Sequence, residues 1–323
     1  MSEKSLTSLS LDLDNKWSYM KTHGDAGWES YPSYFDLVVP RILEFLDRRN
    51  FKISFFVVGR DAALESNQGP LKDIANAGHE IGNHSFNHEP WLHLYDKQKL
   101  HEELEQAEQA IKLATGQQTT GFRGPGFSLS KSTLEVLVER GYSYDATVFP
   151  NLLNPLARAY FFATSNLTAE EKEQRKALFG TWKDALRSVK PFRWETPGRQ
   201  LLEIPVTTMP LFKTPVHLSY VLYLSKYSRS LALLYFHTAV AMCRLTGTEP
   251  SVLLHPLDFL GRGDAEELKF FPAMDIAAKR KIDVVDSCLK VLAKHFDVVT
   301  MREHASNIDA RDRTPVVEPR FSV

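Results

Sequence analysis

Two pairs of side chains in this sequence have the types and spacing to hold a metal ion and to work on a water beside it. One pair is Asp12 and Asp14, in Asp12-Leu13-Asp14. The other is His84 and His88, in His84-Ser85-Phe86-Asn87-His88. Imidazoles four residues apart can lie on one side of a helical turn and offer neutral nitrogens to one divalent cation. A carboxylate adds a hard oxygen donor. Two histidines with one carboxylate leave coordination positions open for water and substrate, the pattern of a catalytic rather than a structural site. Each pair alone is weak. The chain has 11 histidines, and an Asp-x-Asp after a strand serves equally as a helix cap and a loop residue. Two further segments add weight: Gly121-Phe122-Arg123-Gly124-Pro125-Gly126-Phe127 and Ser251-Val252-Leu253-Leu254-His255-Pro256. All four place polar groups just past apolar, β-compatible runs, and in parallel α/β barrels the C-terminal strand ends are where such groups converge.

The elements that must position these residues alternate in type. Ser8–Leu13 reads as a first strand. Tyr34–Arg49 has helical spacing, with Phe35, Val38, Val39, Ile42, Leu43, Phe45 and Leu46 on one face. Phe51–Val58 reads as a strand buried on both faces, Pro70–Ala77 as a helix, and His79–His84 as a short strand. A long charged helix over Asp96–Thr115 should stop at Gly116. A strand from Phe122, a serine-capped helix over Ser130–Arg140 and a strand over Tyr142–Ala146 follow. Strands joined by helices mean parallel pairing, in a barrel or a doubly wound sheet. From Asn151 to about Arg199 the rhythm breaks. The charged segment Thr168–Lys190 reads as helical and Pro191–Arg199 as a loop, so the stretch is expected to be an insertion. Glu203–Thr208, Ser251–His255 and Asp297–Thr300 read as returning strands. Leu218–Leu245 reads as helical and rich in Leu, Tyr and Phe, and Asn307–Val323 as a loose tail.

The 323 residues are 43% hydrophobic and 24% charged, with a formal charge of −1, which excludes disordered, collagen-like and coiled-coil readings. A pI near 6.8 removes the electrostatic case for a nucleic-acid binder. Two cysteines, Cys243 and Cys288, exclude a disulfide scaffold and a cysteine zinc site. The N-terminal residues lack the apolar core of a signal peptide, and the most apolar window, Leu231–Cys243, is too short to span a bilayer. A cytoplasmic protein is expected, with peripheral contact to a membrane as an added option.

Five stretches together resemble the polysaccharide deacetylase family, the NodB-homology or carbohydrate esterase family 4 proteins. They are Ser10–Asp14 (SLDLD), Phe51–Gly59 (FKISFFVVG), Gly78–His88 (GHEIGNHSFNH), Gly121–Phe127 (GFRGPGF) and Leu253–Pro256 (LLHP). The resemblance runs from about Leu9 to Thr300, with a less familiar middle. It implies one catalytic domain with a distorted (β/α) barrel, less regular than the eight-stranded form, and an inserted helical segment. It further implies a metal triad of Asp14, His84 and His88 holding one divalent ion, zinc first and cobalt, nickel or manganese as alternatives. Asp12 resembles the base that takes a proton from the attacking water, and Arg123 the arginine that holds this base. The backbone N–H of Gly126 resembles half of an oxyanion hole, and His255 the acid that protonates the leaving amine.

Three departures from the commoner family pattern stand out. The usual adjacent Asp-Asp is Asp12-Leu13-Asp14; the aromatic after the proline is delayed to Phe127; and the late Asp-Trp motif is not evident, leaving Asp145 and then Asp258 as candidate supporting carboxylates. Trp17, Trp28 and Trp91 sit beside the motifs, where aromatics stack on sugars or simply pack. Asn83 and Asn87 flank the ligands as hydrogen-bond supports. His79 is expected to pack, and His217 is set aside as background. The implied activity is removal of an N-acyl group, N-acetyl first, from an amino sugar in a glycan. A lipid-linked amino sugar (deformylation or deacetylation) and another non-peptide amide are the alternatives, the apolar Leu218–Leu245 segment motivating the first. An inactive sugar-binding module is the weakest reading.

Overall fold

The structure, a computed structural model, describes residues 4–321 apart from 155, 157, 158, 160, 161, 164, 175–183 and 312. The first half follows the alternation in the sequence. Strand β1 (Leu6–Leu13) leads to α1 (Lys16–His23) and α2 (Phe35–Asp47). β2 (Ser54–Val57) leads to α3 (Gly59–Ala62) and α4 (Glu65–Asn76), and β3 (Glu80–Asn83) to α5 (Lys97–Thr115). β4 (Gly121–Phe122), α6 (Lys131–Glu139) and β5 (Tyr144–Asp145) complete it. Asp96 caps α5 by accepting the Lys99 N–H at 2.8 Å, and Gly116 ends it in a left-handed turn, φ 74°. Ser130 caps α6.

β1 explains why the core and the site lie on opposite faces of one strand. Leu9, Leu11 and Leu13 are fully buried with Phe35, Val38, Val39 and Ile42 of α2 in the main apolar cluster. The alternate residues Ser8, Ser10 and Asp12 face the barrel interior, as the two-residue period of a strand requires. β1 pairs in parallel with β2 and with β8 (Ser251–Leu254), and β3, β4 and β5 follow β2 in order, all parallel. The C-terminal strand ends therefore share one rim.

Beyond β5 the sheet continues where the sequence reads as an insertion. After α7 (Ala169–Gln174) come β6 (Phe192–Trp194) and β7 (Leu201–Glu203), which pair antiparallel, and β7 joins β5. Pro191–Arg199 was expected to be a loop. Part of it is instead a strand, because Phe192 and Trp194 bury their rings against Phe122, Leu137 and Tyr142. Residues after β7 close the barrel, with the Thr207 N–H donating to Ser251 O at 2.9 Å. Much of the Thr168–Lys190 segment lies outside the described residues.

Leu218–Leu245 is two helices, α8 (Leu218–Tyr227) and α9 (Arg229–Thr246), separated at Ser228, whose hydroxyl caps the second. Leu218, Val221, Leu222 and Phe236 pack into the core, while Tyr227, Leu231 and Leu234 are exposed. Among the described residues no helix is long and apolar enough to cross a membrane. The chain ends with α10 (Ala278–His295), β9 (Asp297–Val299) beside β1, and α11 (Met301–Ala310). The tail expected from Asn307 begins inside α11, and among the described residues β10 (Val316–Val317) pairs with β6 while Phe321 lies against Trp194.

Candidate active site

β1 carries Asp12 on its inward face and releases Asp14 just past its end. Arg123, directly after β4, reaches across the barrel to it and is wholly buried. Its Nη1 donates to Asp12 Oδ1 at 2.7 Å and to Ser10 Oγ at 2.9 Å, its Nε to Ala146 O at 2.9 Å, and its guanidinium lies 4.3 Å over the Phe56 ring. Asp12 is thus an oriented carboxylate with a fixed counter-charge.

After β3 the chain bends, with Ser85 at φ 61° and His88 at φ 51°. The two histidines are brought together by this bend and not by the helical turn that their spacing invites. The bend is held by polar contacts. Asn83 Oδ1 accepts the Ser85 N–H at 2.8 Å, Ser85 Oγ accepts the His88 N–H at 3.1 Å, and Glu103 Oε1 of α5 accepts the N–H groups of Phe86 (2.9 Å) and Asn87 (2.6 Å). His84 Nδ1 donates to the Arg123 carbonyl at 2.7 Å. A carbonyl only accepts, so Nδ1 carries the proton and Nε2 turns its lone pair toward the barrel axis.

That lone pair meets other donors of electrons. His84 Nε2 is 3.5 Å from Asp14 Oδ1 and 4.0 Å from Asp12 Oδ2, and His88 Nε2 is 3.0 Å from Asp14 Oδ1. One ligand atom each from Asp14, His84 and His88 lies within 4.8 Å of the others, and all three residues are buried. Despite the short approach of His88, Asp14 Oδ1 is buried with no hydrogen bond directed at it. Acceptors converging in a buried space are what a cation relieves, so these residues fit a divalent ion. Burial alone would push the Asp14 carboxyl up, but the imidazoles of His88 and His84 outweigh it and hold it well below the usual range. Burial lowers His84 in spite of the nearby carboxylates, whereas Asp14 more than offsets burial at His88 and raises it.

His255 follows β8 on the opposite side of the cluster. Its Nδ1 is 3.2 Å from Ser219 Oγ, and that hydroxyl donates to Asp258 Oδ1 at 2.7 Å. Asp258 Oδ2 also accepts the His255 backbone N–H at 2.9 Å. The single hydroxyl hydrogen goes to the carboxylate, so the oxygen is free to accept from Nδ1–H. Ser219, on α8, was not singled out from sequence, and nothing in its neighbours marks it. His217, expected to be background, packs edge-on to His255 with ring centroids 5.6 Å apart and sits 5.7 Å from Phe149, which in turn meets Phe127 at 4.6 Å. Burial drives the His217 imidazole well below its ordinary value, so it stays neutral.

The Gly124–Phe127 loop lies between these groups. Gly126 takes φ 59° and ψ 22° after Pro125. A Cβ on Gly124 would meet Ser128 O at 2.2 Å, so only glycine fits there. Asp145 does not face the metal-ligand cluster. Its Oδ1 accepts the Ala146 N–H (2.9 Å) and the Thr147 hydroxyl (2.5 Å), and Thr147 accepts the Gly124 N–H at 2.8 Å. It therefore braces the Arg123–Gly124 turn from behind. Glu203, unmarked in the sequence, is its register partner on β7, and burial with that neighbour raises the Asp145 carboxyl well above its usual range.

Trp17 offers no open face for a sugar, as it is 4% exposed and stands edge-on to His88 at 6.4 Å, with Trp28 at 5.5 Å. Trp28 and Trp91 are half-buried. The segment after Trp91 is tied to the loop side by the His93 N–H donating to Ser128 Oγ at 2.9 Å.

Fold and site together define a parallel-stranded (β/α) barrel with an Asp–His–His cluster at the C-terminal rim of its strands. Residues 25–145 match the polysaccharide deacetylase family. Asp12 and Asp14 precede the matched stretch. A peptidoglycan deacetylase of Helicobacter pylori is 27% identical over 159 residues, 48% of this chain and 53% of that protein. The match thus spans about half the length of that relative. A Mycobacterium smegmatis structure assigned as a polysaccharide deacetylase is similar over 100% of this chain and 98% of its own, with a TM-score of 0.64 and 19% identity. The structure of Puue allantoinase is similar over 95% and 91%, with a TM-score of 0.58 and 15% identity. At these identities the likeness is one of fold, and it bears out the NodB-type barrel.

Proposed function

We propose that the chain is a divalent-metal-dependent hydrolase that removes the N-acetyl group from an amino sugar in a glycan. The observation that carries this reading is the convergence of Asp14, His84 and His88 between a carboxylate held by arginine, Asp12, and an imidazole held by Ser219 and Asp258, His255. The Helicobacter pylori relative acts, by its name, on peptidoglycan, which supports an N-acetylated cell-wall sugar as substrate. Asp14, His84 and His88 would hold the ion, and two imidazoles with one carboxylate favour zinc, with cobalt, nickel or manganese as competitors.

When bound, the ion supplies Lewis acidity toward the acyl oxygen and acidifies water. The chain's own groups do the rest. Asp12, oriented by Arg123, accepts a proton from the attacking water. The Gly126 N–H would donate to the acyl oxygen as charge develops there, and one such donor contributes about 3–4 kcal/mol. As the carbon–nitrogen bond breaks, His255 gives its proton to the leaving nitrogen, so that amide and water become amine and acetate.

Acetate release from N-acetylglucosamine oligomers and from peptidoglycan tests the proposal. Activity should vanish after chelation, return with a divalent ion, and be absent in folded Asp12→Asn and His84→Ala variants. Full activity in those variants, or no acetate from any N-acetylated glycan, overturns it.

A further inference from the structure

The rim of the barrel opposite His255 holds a positive charge that the site itself does not use. α3 begins directly after β2, and its backbone is locked to the ligand-bearing bend: Gly59 N–H donates to Ser85 O at 2.8 Å and Arg60 N–H to Phe86 O at 3.0 Å. Arg60 is therefore fixed relative to His88. Its guanidinium carbon lies 5.0 Å from the Trp17 ring centre and 4.9 Å from that of Trp28, and Trp17 is the ring that touches His88. One indole thus separates the guanidinium from a metal ligand.

Among the described residues, no carboxylate pairs with Arg60 and no hydrogen bond is made by its side chain. Its neighbours differ. Lys21 lies over the same indoles at 5.0 and 5.8 Å, but its Nζ is taken by Glu89 Oε1 at 2.5 Å and by Asn87 O at 3.0 Å. Asp61 follows Arg60 in sequence, yet its Oδ1 is occupied by Trp17 Nε1 (2.9 Å) and Asn15 Nδ2 (2.7 Å), and burial pushes its carboxyl up to about 7. Neither acid cancels the guanidinium. A half-buried arginine held over aromatic faces keeps in-plane N–H donors for a planar or tetrahedral oxyanion.

We infer that Arg60, on its Trp17–Trp28 shelf, is a subsite for an anionic substituent, a carboxylate or a phosphate, on or next to the acylated sugar. This rests on the deacetylase reading and narrows it: the preferred substrate is an acidic amino sugar, not a neutral one.

Tryptophan fluorescence of the full chain with its metal reads binding without needing turnover. Three ligands are titrated in phosphate-free buffer: N-acetylglucosamine, its 3-O-lactyl ether and its 1-phosphate. At least one anionic ligand should bind about tenfold to a hundredfold more tightly than the neutral sugar, the range of a charged hydrogen-bond pair. A preference for the ether alone identifies a carboxylate, and for the ester alone a phosphate. Arg60→Gln should abolish the preference and Arg60→Lys should retain part of it. Equal binding of all three ligands, or a preference that survives Arg60→Gln, overturns the inference. Acetate release measured in parallel separates the two claims. Anion preference without acetate release would remove the deacetylase reading and leave the subsite standing, whereas acetate release without preference would do the reverse.

Discussion

Arg123→Met removes the cation that faces Asp12 in a place with no solvent to replace it. Arg123 is 0% exposed and its Nη1 serves Asp12 and Ser10 together. Losing one partner of a buried pair costs about 3–5 kcal/mol, because the remaining charge is stranded. An unfolding entropy of about 2.1 cal/mol/K per residue, over 323 residues, is roughly 0.7 kcal/mol/K. The expected fall in Tm is then about 4–7 °C. The test is calorimetry in chelator, because a bound ion would add its own stabilisation, with Asp12→Asn and the double variant beside it. The double variant should lose about 1–3 kcal/mol less than the two singles added together. It will not return to wild type, since Ser10 Oγ and Ala146 O lose a donor either way. Additive losses, or a single-variant loss below about 1 kcal/mol, would refute the claim that Arg123 and Asp12 act as a coupled buried pair.

Three further outcomes follow from named contacts. Ser219→Ala should lower kcat about tenfold to a hundredfold with little change in KM, and Ser219→Thr should recover much of it, because the contacts of the hydroxyl are with His255 and Asp258; an effect on KM alone counts against this. Zinc at a hundred times its Kd should add about 2.7 kcal/mol to the apoprotein, read as a Tm rise that Asp14→Asn abolishes; a rise that persists in the variant places the ion elsewhere. His79 is lowered to about 4 by burial and by Lys52, and its Nδ1 accepts the Ile53 N–H at 3.2 Å. The unfolded chain therefore binds more protons than the folded one between about pH 6.5 and 4, so stability is full above that window and falls as pH drops through it. His79→Gln should flatten the slope of urea-denaturation stability against pH there, and an unchanged slope excludes His79 as its source.

The parts of this architecture that were legible in the sequence are those where local periodicity and tertiary demand agree. Ser8 to Asp14 alternates polar and apolar residues, so the strand, its buried face and its inward carboxylates could all be read from it. α5 announced itself through Asp96 and Gly116. The bend at His84–His88 was not readable, because the same spacing suits a helix. What selects the bend is Glu103, a side chain from α5 that accepts the Phe86 and Asn87 N–H groups. Pro191–Arg199 misled for the opposite reason: prolines and a glycine read as a loop, while burial of Phe192 and Trp194 makes a strand. Ser219 and Arg60 carry no local signal, since each matters only through residues distant in sequence.

The least familiar part of the chain is joined to the motifs by one strand pairing. β5 sets Asp145 beside Glu203 of β7. From there Asp145 holds Thr147, Thr147 holds the Gly124 N–H, and Ala146 O holds Arg123, while Glu203 accepts the Val148 N–H at 3.0 Å and Trp194 Nε1 at 2.9 Å. The loop that carries Arg123 and Gly126 is thus fixed from behind by β7, with Trp194 of β6 bonded to the same glutamate. In a barrel with short strands, β4 and β5 being two residues each, ladder hydrogen bonds alone cannot hold the Arg123–Gly126 loop to the tolerance that the proposed proton transfers need. Buried carboxyl groups do that work here, and β6 supports them through Trp194, which donates to Glu203.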